Sequence, residues 1–222
     1  MRLHSLFAAF AMGLLSIHWG SAMASCEGDQ HIRQRAPVTL STQELAQLAA
    51  MPPLRVMAVG SPPLALYHPE QRRFTGMGVD VLCFIAHRLG LRFHIDPALH
   101  LTVTEKIALV QSGQADVFLP LSTTPERSQH GHFTRPIYNS HYVAIANKGQ
   151  ELDIEHTNDL SRYRLGVIQG VALEPILQRL VDRPDQLRSY ATAFNADGLF
   201  SALRTGKVDL AVFSRDFFLE QR

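Results

Sequence analysis

A short phrase occurs twice in this chain of 222 residues, each time at the joint of an α/β unit. Ser112-Gly-Gln-Ala-Asp116-Val and Thr205-Gly-Lys-Val-Asp209-Leu both set a helix-ending glycine three residues before an aspartate that opens an apolar strand. The two aspartates are 93 positions apart, the size of one small α/β lobe. G-x-x-D alone is a common αβ turn, so the repeat gains its weight from what surrounds it. Two similar lobes in tandem is the architecture it predicts.

The surrounding pattern repeats too. Leu54 to Val59 reads as a strand, and Val79, Leu82, Cys83 and Ala86 recur at i, i+3, i+4 and i+7 within a helix from Gly76 to Leu89 that Gly90 ends. Leu91, Phe93 and Ile95 alternate as a strand. Thr102 and Glu105 cap a helix that runs to Gly113, and Ala115 to Leu121 is an apolar strand. After it the order starts again: strand Arg164 to Ile168, helix Ala172 to Val181, strand Leu187 to Tyr190, helix Ala196 to Leu203 and strand Val208 to Phe213. Strands joined by helices of this length imply a mainly parallel sheet covered on both faces.

The amino terminus has a different grammar. One basic residue, Arg2, precedes an apolar stretch from Leu6 to Trp19 and the small-residue site Ala22-Met23-Ala24, which reads as a secretory signal over residues 1–24. Ser16, His18 and Gly20 interrupt the stretch, which falls short of a membrane span. Met23-Ala24-Ser25-Cys26 is loosely lipobox-like, so a lipid anchor on Cys26 stays open. Residues 25–53 form a polar lead-in with one short helix, capped by Ser41 and Glu44 and stopped by Pro52-Pro53. Lobe one is expected over 54–139 and lobe two over 140–222. The compartment expected is the periplasm, where Cys26 and Cys83 could pair. Because Cys83 lies on the apolar face of its helix, a buried free thiol is the expectation instead.

A net charge of +1, with 21 Lys+Arg against 20 Asp+Glu and no basic run, argues against a nucleic-acid partner. His130-Gly-His132 reads as a polar loop, and no metal or other cofactor is expected. Asp80, Asp116 and Asp209 stand at helix and strand starts, where capping is a better account than acid–base chemistry.

Leu54-Arg-Val56, Gly76-Met-Gly-Val-Asp80-Val, Ser112-Gly-Gln-Ala-Asp116, Thr124-Pro-Glu-Arg127, Phe133-Thr-Arg-Pro-Ile-Tyr138, Leu165-Gly-Val-Ile-Gln-Gly170 and Gly206-Lys-Val-Asp209 follow one another in a telling order. In that order and spacing the chain resembles the family 3 periplasmic solute-binding proteins. Leu40 to Val56 and Phe84-Ile-Ala-His-Arg-Leu-Gly90 resemble the sensor domains of BvgS-type histidine kinases. The resemblance implies a Venus flytrap of the periplasmic-binding-protein type II, two α/β lobes on a hinge that close on a small ligand. It further implies a segment that returns to lobe one after the last strand. Since the chain ends at Arg222, a shortened second lobe is expected.

The site residues are carried over by the resemblance. Arg127 is expected to clamp a ligand carboxylate, a task for which the guanidinium fork is suited. Ser122 is expected to offer its hydroxyl and Gly170 its backbone N–H at a strand-to-helix turn. Val171 stands where the family has a threonine, Ser214 where it has an acid for the ligand's ammonium, and Gly78 where a second acid would be. An ammonium without a carboxylate partner is costly to bury, so a carboxylate lacking an adjacent amine is favoured over a standard amino acid. Tyr67 is a candidate to stack on a ligand ring, with core packing as its competing use. The implied partners are a small carboxylate or amino-acid-like ligand and an ABC permease or a sensor kinase. The rival class is an enzyme on the same scaffold, such as a dehydratase or a domain attached to a lytic transglycosylase. A non-binding remnant is the third reading.

Overall fold

In lobe one, the sheet is built around a strand buried on both faces, with Val56 and Ala58 in one apolar cluster and Met57 in another on the opposite side. The computed structural model describes residues 23–24, 26–191 and 196–220. Strand β1 (Met23–Ala24) leads to α1 (Thr42–Ala50), with Ser41 and Glu44 forming the expected capping box. Then come β2 (Leu54–Ala58), a hairpin of β3 (Leu66–His68) and β4 (Arg73–Thr75), and α2 (Met77–Leu89). Strand β5 (Phe93–Asp96), α3 (Val103–Gln111), β6 (Val117–Leu119) and α4 (Pro125–Ser128) complete this part. Strands β5, β2 and β6 form an all-parallel sheet in that order, as the periodicity requires.

The second unit opens with β7 (Tyr142–Ile145), followed by β8 (Leu165–Ile168), α5 (Glu174–Leu180), β9 (Leu187–Tyr190), α6 (Asp197–Arg204), β10 (Leu210–Ser214) and α7 (Arg215–Glu220). Its sheet order is β7-β10-β8-β9, parallel except for β7, which runs antiparallel to β10. Two short strands, β3 and β4, and the antiparallel β7 were not expected from the sequence. Each is only three or four residues long, too short for a period to declare itself.

The cores are separate. One gathers Val56, Ala58, Phe74, Val79, Cys83, Ile95 and Leu119. On the other side, Ile168, Leu199, Ala202, Val208 and Ala211 form a cluster, and Leu165, Val167, Leu177 and Leu210 form the layer on the opposite face of the same sheet.

One expectation about sulfur is overturned, and one alternative left open is closed. Cys83 is fully buried but not free, because it is bonded to Cys26 across a loop of 57 residues. A sulfur in a disulfide has no valence left for a thioether, so Cys26 carries no lipid anchor in this structure. The bond ties the lead-in to α2, where Asp29 also meets His87 at 2.5 Å and Gly28 lies against the Asp80 carboxylate. Of the expected secretory signal, residues 1–22 lie outside the described residues, and Met23–Ala24 pairs in parallel with β4. Among the described residues no helix is long and apolar enough to cross a membrane.

Candidate ligand-binding site

The two repeated aspartates do the same work in each unit. Asp116 Oδ2 accepts the backbone N–H of Arg55 at 2.7 Å and its Nε at 3.0 Å, while Oδ1 takes Nη2 at 2.9 Å. Asp209 repeats this with Arg164 at 2.8, 2.9 and 2.5 Å. The arginine's hydrogen bonds are the main force holding both carboxyls below the usual carboxylate range. These pairs lock the amino-terminal starts of neighbouring strands. The expectation of strand-start capping for Asp116 and Asp209 thus takes the form of a clamp that spans two strands.

The opposite, carboxyl ends of the strands are where ligands bind in open α/β sheets. Here α4 is the anchor. Thr124 caps it through the N–H of Arg127 at 3.2 Å, and Pro125 starts it, which aims the Arg127 side chain out of the first turn. Arg127 Nη1 donates to the Ser122 carbonyl at 2.8 Å, and Nη2 reaches across to the Gly170 carbonyl at 2.6 Å. Burial pushes the pKa of this guanidinium below its ordinary value.

Gly170 is the lobe-two half of the contact. Its φ of +79° is in the left-handed region, and a Cβ there would stand 2.5 Å from Thr104 Oγ1 of α3. Its N–H is already taken, by Glu174 Oε2 at 2.7 Å, and Glu174 Oε1 accepts the Ser189 hydroxyl. A protein carboxylate therefore stands where a ligand anion would meet this turn.

The structure brings Arg127, Ser122 and Gly170 together. Ser122 takes part through its carbonyl, whereas the sequence assigned its hydroxyl. Val171 packs between the two apolar clusters of lobe two. Ser214 ends β10 with its hydroxyl 3.0 Å from that of Ser140, at the passage between the lobes. Tyr67 lies in the β3–β4 hairpin, its ring 5.0 Å from that of Phe74 and against the lobe-one core. Gly78 is buried in α2, and a Cβ would stand 2.9 Å from the Leu64 carbonyl, so no acid fits at that position without backbone movement.

Sequence reasoning missed Thr104, Glu174 and the pair formed by Tyr138 and Asp216, whose phenol donates to the carboxylate at 2.7 Å. That hydrogen bond raises the pKa of the Tyr138 phenol. Only Glu174 left a trace in the sequence, as an acid in the first turn of a helix that follows a glycine turn.

A bilobal α/β scaffold with an arginine bridging the carboxyl edges of its two sheets defines the class of two-lobed solute-binding folds. Residues 54–194 match the bacterial extracellular solute-binding proteins, family 3, and the chain belongs to that family. Among solved structures, an ancestral arginine-binding protein bound to glutamine is similar at 23% identity and a TM-score of 0.62, over 76% of this chain and 72% of that one. The arginine-, lysine-, histidine-binding protein ArtJ from Geobacillus stearothermophilus gives 18% and 0.64, over 76% and 70%. The ancestral amino acid-binding protein AncCDT-1, a precursor of cyclohexadienyl dehydratase, gives 22% and 0.61, over 77% and 73%. No curated protein matches the chain in sequence.

Proposed function

We propose that this protein captures a small anionic or amino-acid-like solute in the periplasm, between two lobes that close over it, and passes it to an ABC permease or reports it to a sensor kinase. The observation that carries the reading is the Arg127 fork, which joins the Ser122 and Gly170 carbonyls at the carboxyl edges of both sheets. A ligand carboxylate would displace one or both carbonyls and gain two parallel charge-assisted hydrogen bonds. With Glu174 occupying the Gly170 N–H, one acidic group, held by Arg127, is what the cleft accommodates. The buried disulfide supports an oxidising compartment, and with it the expected secretory signal at 1–24. Transport and sensing differ in the partner and share this cleft.

The enzyme reading is not adopted. Asp116 and Asp209, which would supply acid or base, are committed to arginines at the strand ends remote from the cleft. Asp80 lies in α2 beside Gly28.

A thermal melt of the purified protein against a panel of amino acids and small carboxylates tests the reading. A ligand at 100 times its Kd adds about 2.7 kcal/mol and should raise the midpoint by roughly 5 to 10 °C. A midpoint that no compound moves would sink the proposal. With a ligand in hand, Arg127→Ala should weaken binding by about 2 to 4 kcal/mol in calorimetry.

A further inference from the structure

Lobe one buries a charge where lobe two buries a hydrocarbon. Aligned on the repeated glycine and aspartate, α3 and α6 place Lys106 opposite Leu199, and both side chains are fully buried. The repeat shows that leucine fills this position of the scaffold. Enclosing an ammonium there costs desolvation and calls for an account beyond packing.

The account lies in what the ammonium touches. Lys106 Nζ donates to the Ala58 carbonyl at 3.0 Å and to the Pro97 carbonyl at 2.7 Å. Ala58 is the last residue of β2 and Pro97 follows β5, so both acceptors stand at the carboxyl edge of the lobe-one sheet. Next to Pro97, Ala98 has a left-handed φ of +39°, and its N–H is held by Asp96 Oδ1 at 2.8 Å. A non-glycine residue in that region is strained and persists only where its surroundings hold it. Two residues before Lys106, Thr104 forms the surface on which the Gly170 turn of lobe two rests.

We propose that Lys106 is a positioning residue of the cleft: by binding the Ala58 and Pro97 carbonyls it sets the first turn of α3, and so the place where Thr104 receives Gly170 and Arg127 can span the lobes. Lys106 is sealed from solvent, so its part in the cleft is to hold the backbone that lines it. The inference rests on the reading of the cleft as a solute site, but its test does not need a ligand.

Lys106→Leu gives lobe one the residue that lobe two uses, and Lys106→Met is its unbranched counterpart. Nitroxide pairs at Gln114→Cys and Arg188→Cys report the distance between lobes by pulsed dipolar spectroscopy in the full chain. Both variants should melt cooperatively at or above the wild-type midpoint, while the ligand-free distance distribution broadens towards longer separations. Once a ligand is known, affinity should fall by about tenfold, because less of the population is closed. A wild-type distribution in either folded variant overturns the proposal. Loss of a cooperative melt in both overturns it as well, leaving Lys106 a folding residue. If no ligand is found but the distribution broadens, the solute reading fails and the positioning role stands.

Discussion

The two lobes share a frame and differ in their interiors. Both start a central strand with an arginine and answer it with an aspartate that heads a neighbouring strand, in Arg55–Asp116 and Arg164–Asp209. Beyond this clamp they diverge. Lobe one adds a hairpin, a disulfide to its lead-in and a buried lysine, whereas lobe two fills the corresponding helix with Leu199, Ala202 and Leu203. A shared clamp therefore fixes how strands begin, and the cleft is shaped by what each lobe does at the other end.

The largest way to break the comparison is to remove the disulfide. In the chain-entropy account a loop of this length is worth about 4 kcal/mol, so Cys26→Ala with Cys83→Ala should lower the unfolding free energy by roughly that amount in urea titration. Amide exchange should then quicken in lobe one first, and equal quickening in both lobes would show that they do not unfold separately.

Next in size is the alkaline behaviour of Lys106. Burial pushes its pKa down to about 8, with Asp96 opposing the shift. Arg55 and Asp116, the charged residues of the strand starts packed against α3, pair with each other. The folded chain holds this proton less tightly than the unfolded chain does. Stability should therefore rise as the pH climbs from about 8 towards the ordinary lysine value near 10.4, by about 3 kcal/mol at most. Lys106→Leu should remove that rise, and a variant with the wild-type slope would assign it elsewhere.

The clamps should be smaller and equal. Asp116→Asn and Asp209→Asn each leave an arginine N–H less well satisfied and should cost about 1 kcal/mol. Their lowered pKa values mean that the stabilisation is present above the ordinary carboxylate pKa and is lost as pH falls through the folded value. A large difference between the two variants in acid titration would show that the clamps are not equivalent. Smallest of all is Arg127→Ala, which should move the unfolding free energy by less than about 0.5 kcal/mol because its Ser122 contact is exposed and its Gly170 contact only part-buried.

Much of the frame was legible because its signals act over a few residues. Ser41 with Glu44 and Thr102 with Glu105 form capping boxes in the structure as in the sequence, and Gly90 ends α2 in the left-handed conformation. Arg127, Ser122 and Gly170 were legible as a set through the family likeness, and they do meet. The contact between the Ser122 carbonyl and Arg127 was not, since nothing local tells which main-chain oxygen a guanidinium will reach. Glu174 was missed because its partner depends on how the turn folds back. The disulfide was misjudged for a related reason: apolar periodicity placed Cys83 in the core correctly, but could not place Cys26 beside it.

By itself, then, the sequence determined the order of the longer helices and the parallel strands between them, the twofold repeat and the family. Caps, periodicity and turn glycines are local, so each can be read from its own neighbourhood. Only the tertiary structure decided that Cys26 meets Cys83, that Glu174 takes the donor of Gly170, that Arg127 spans the lobes, and that Lys106 is sealed over two strand-end carbonyls. Those contacts join residues that only the path of the folded chain brings close, and a buried polar group takes whichever partner that path supplies.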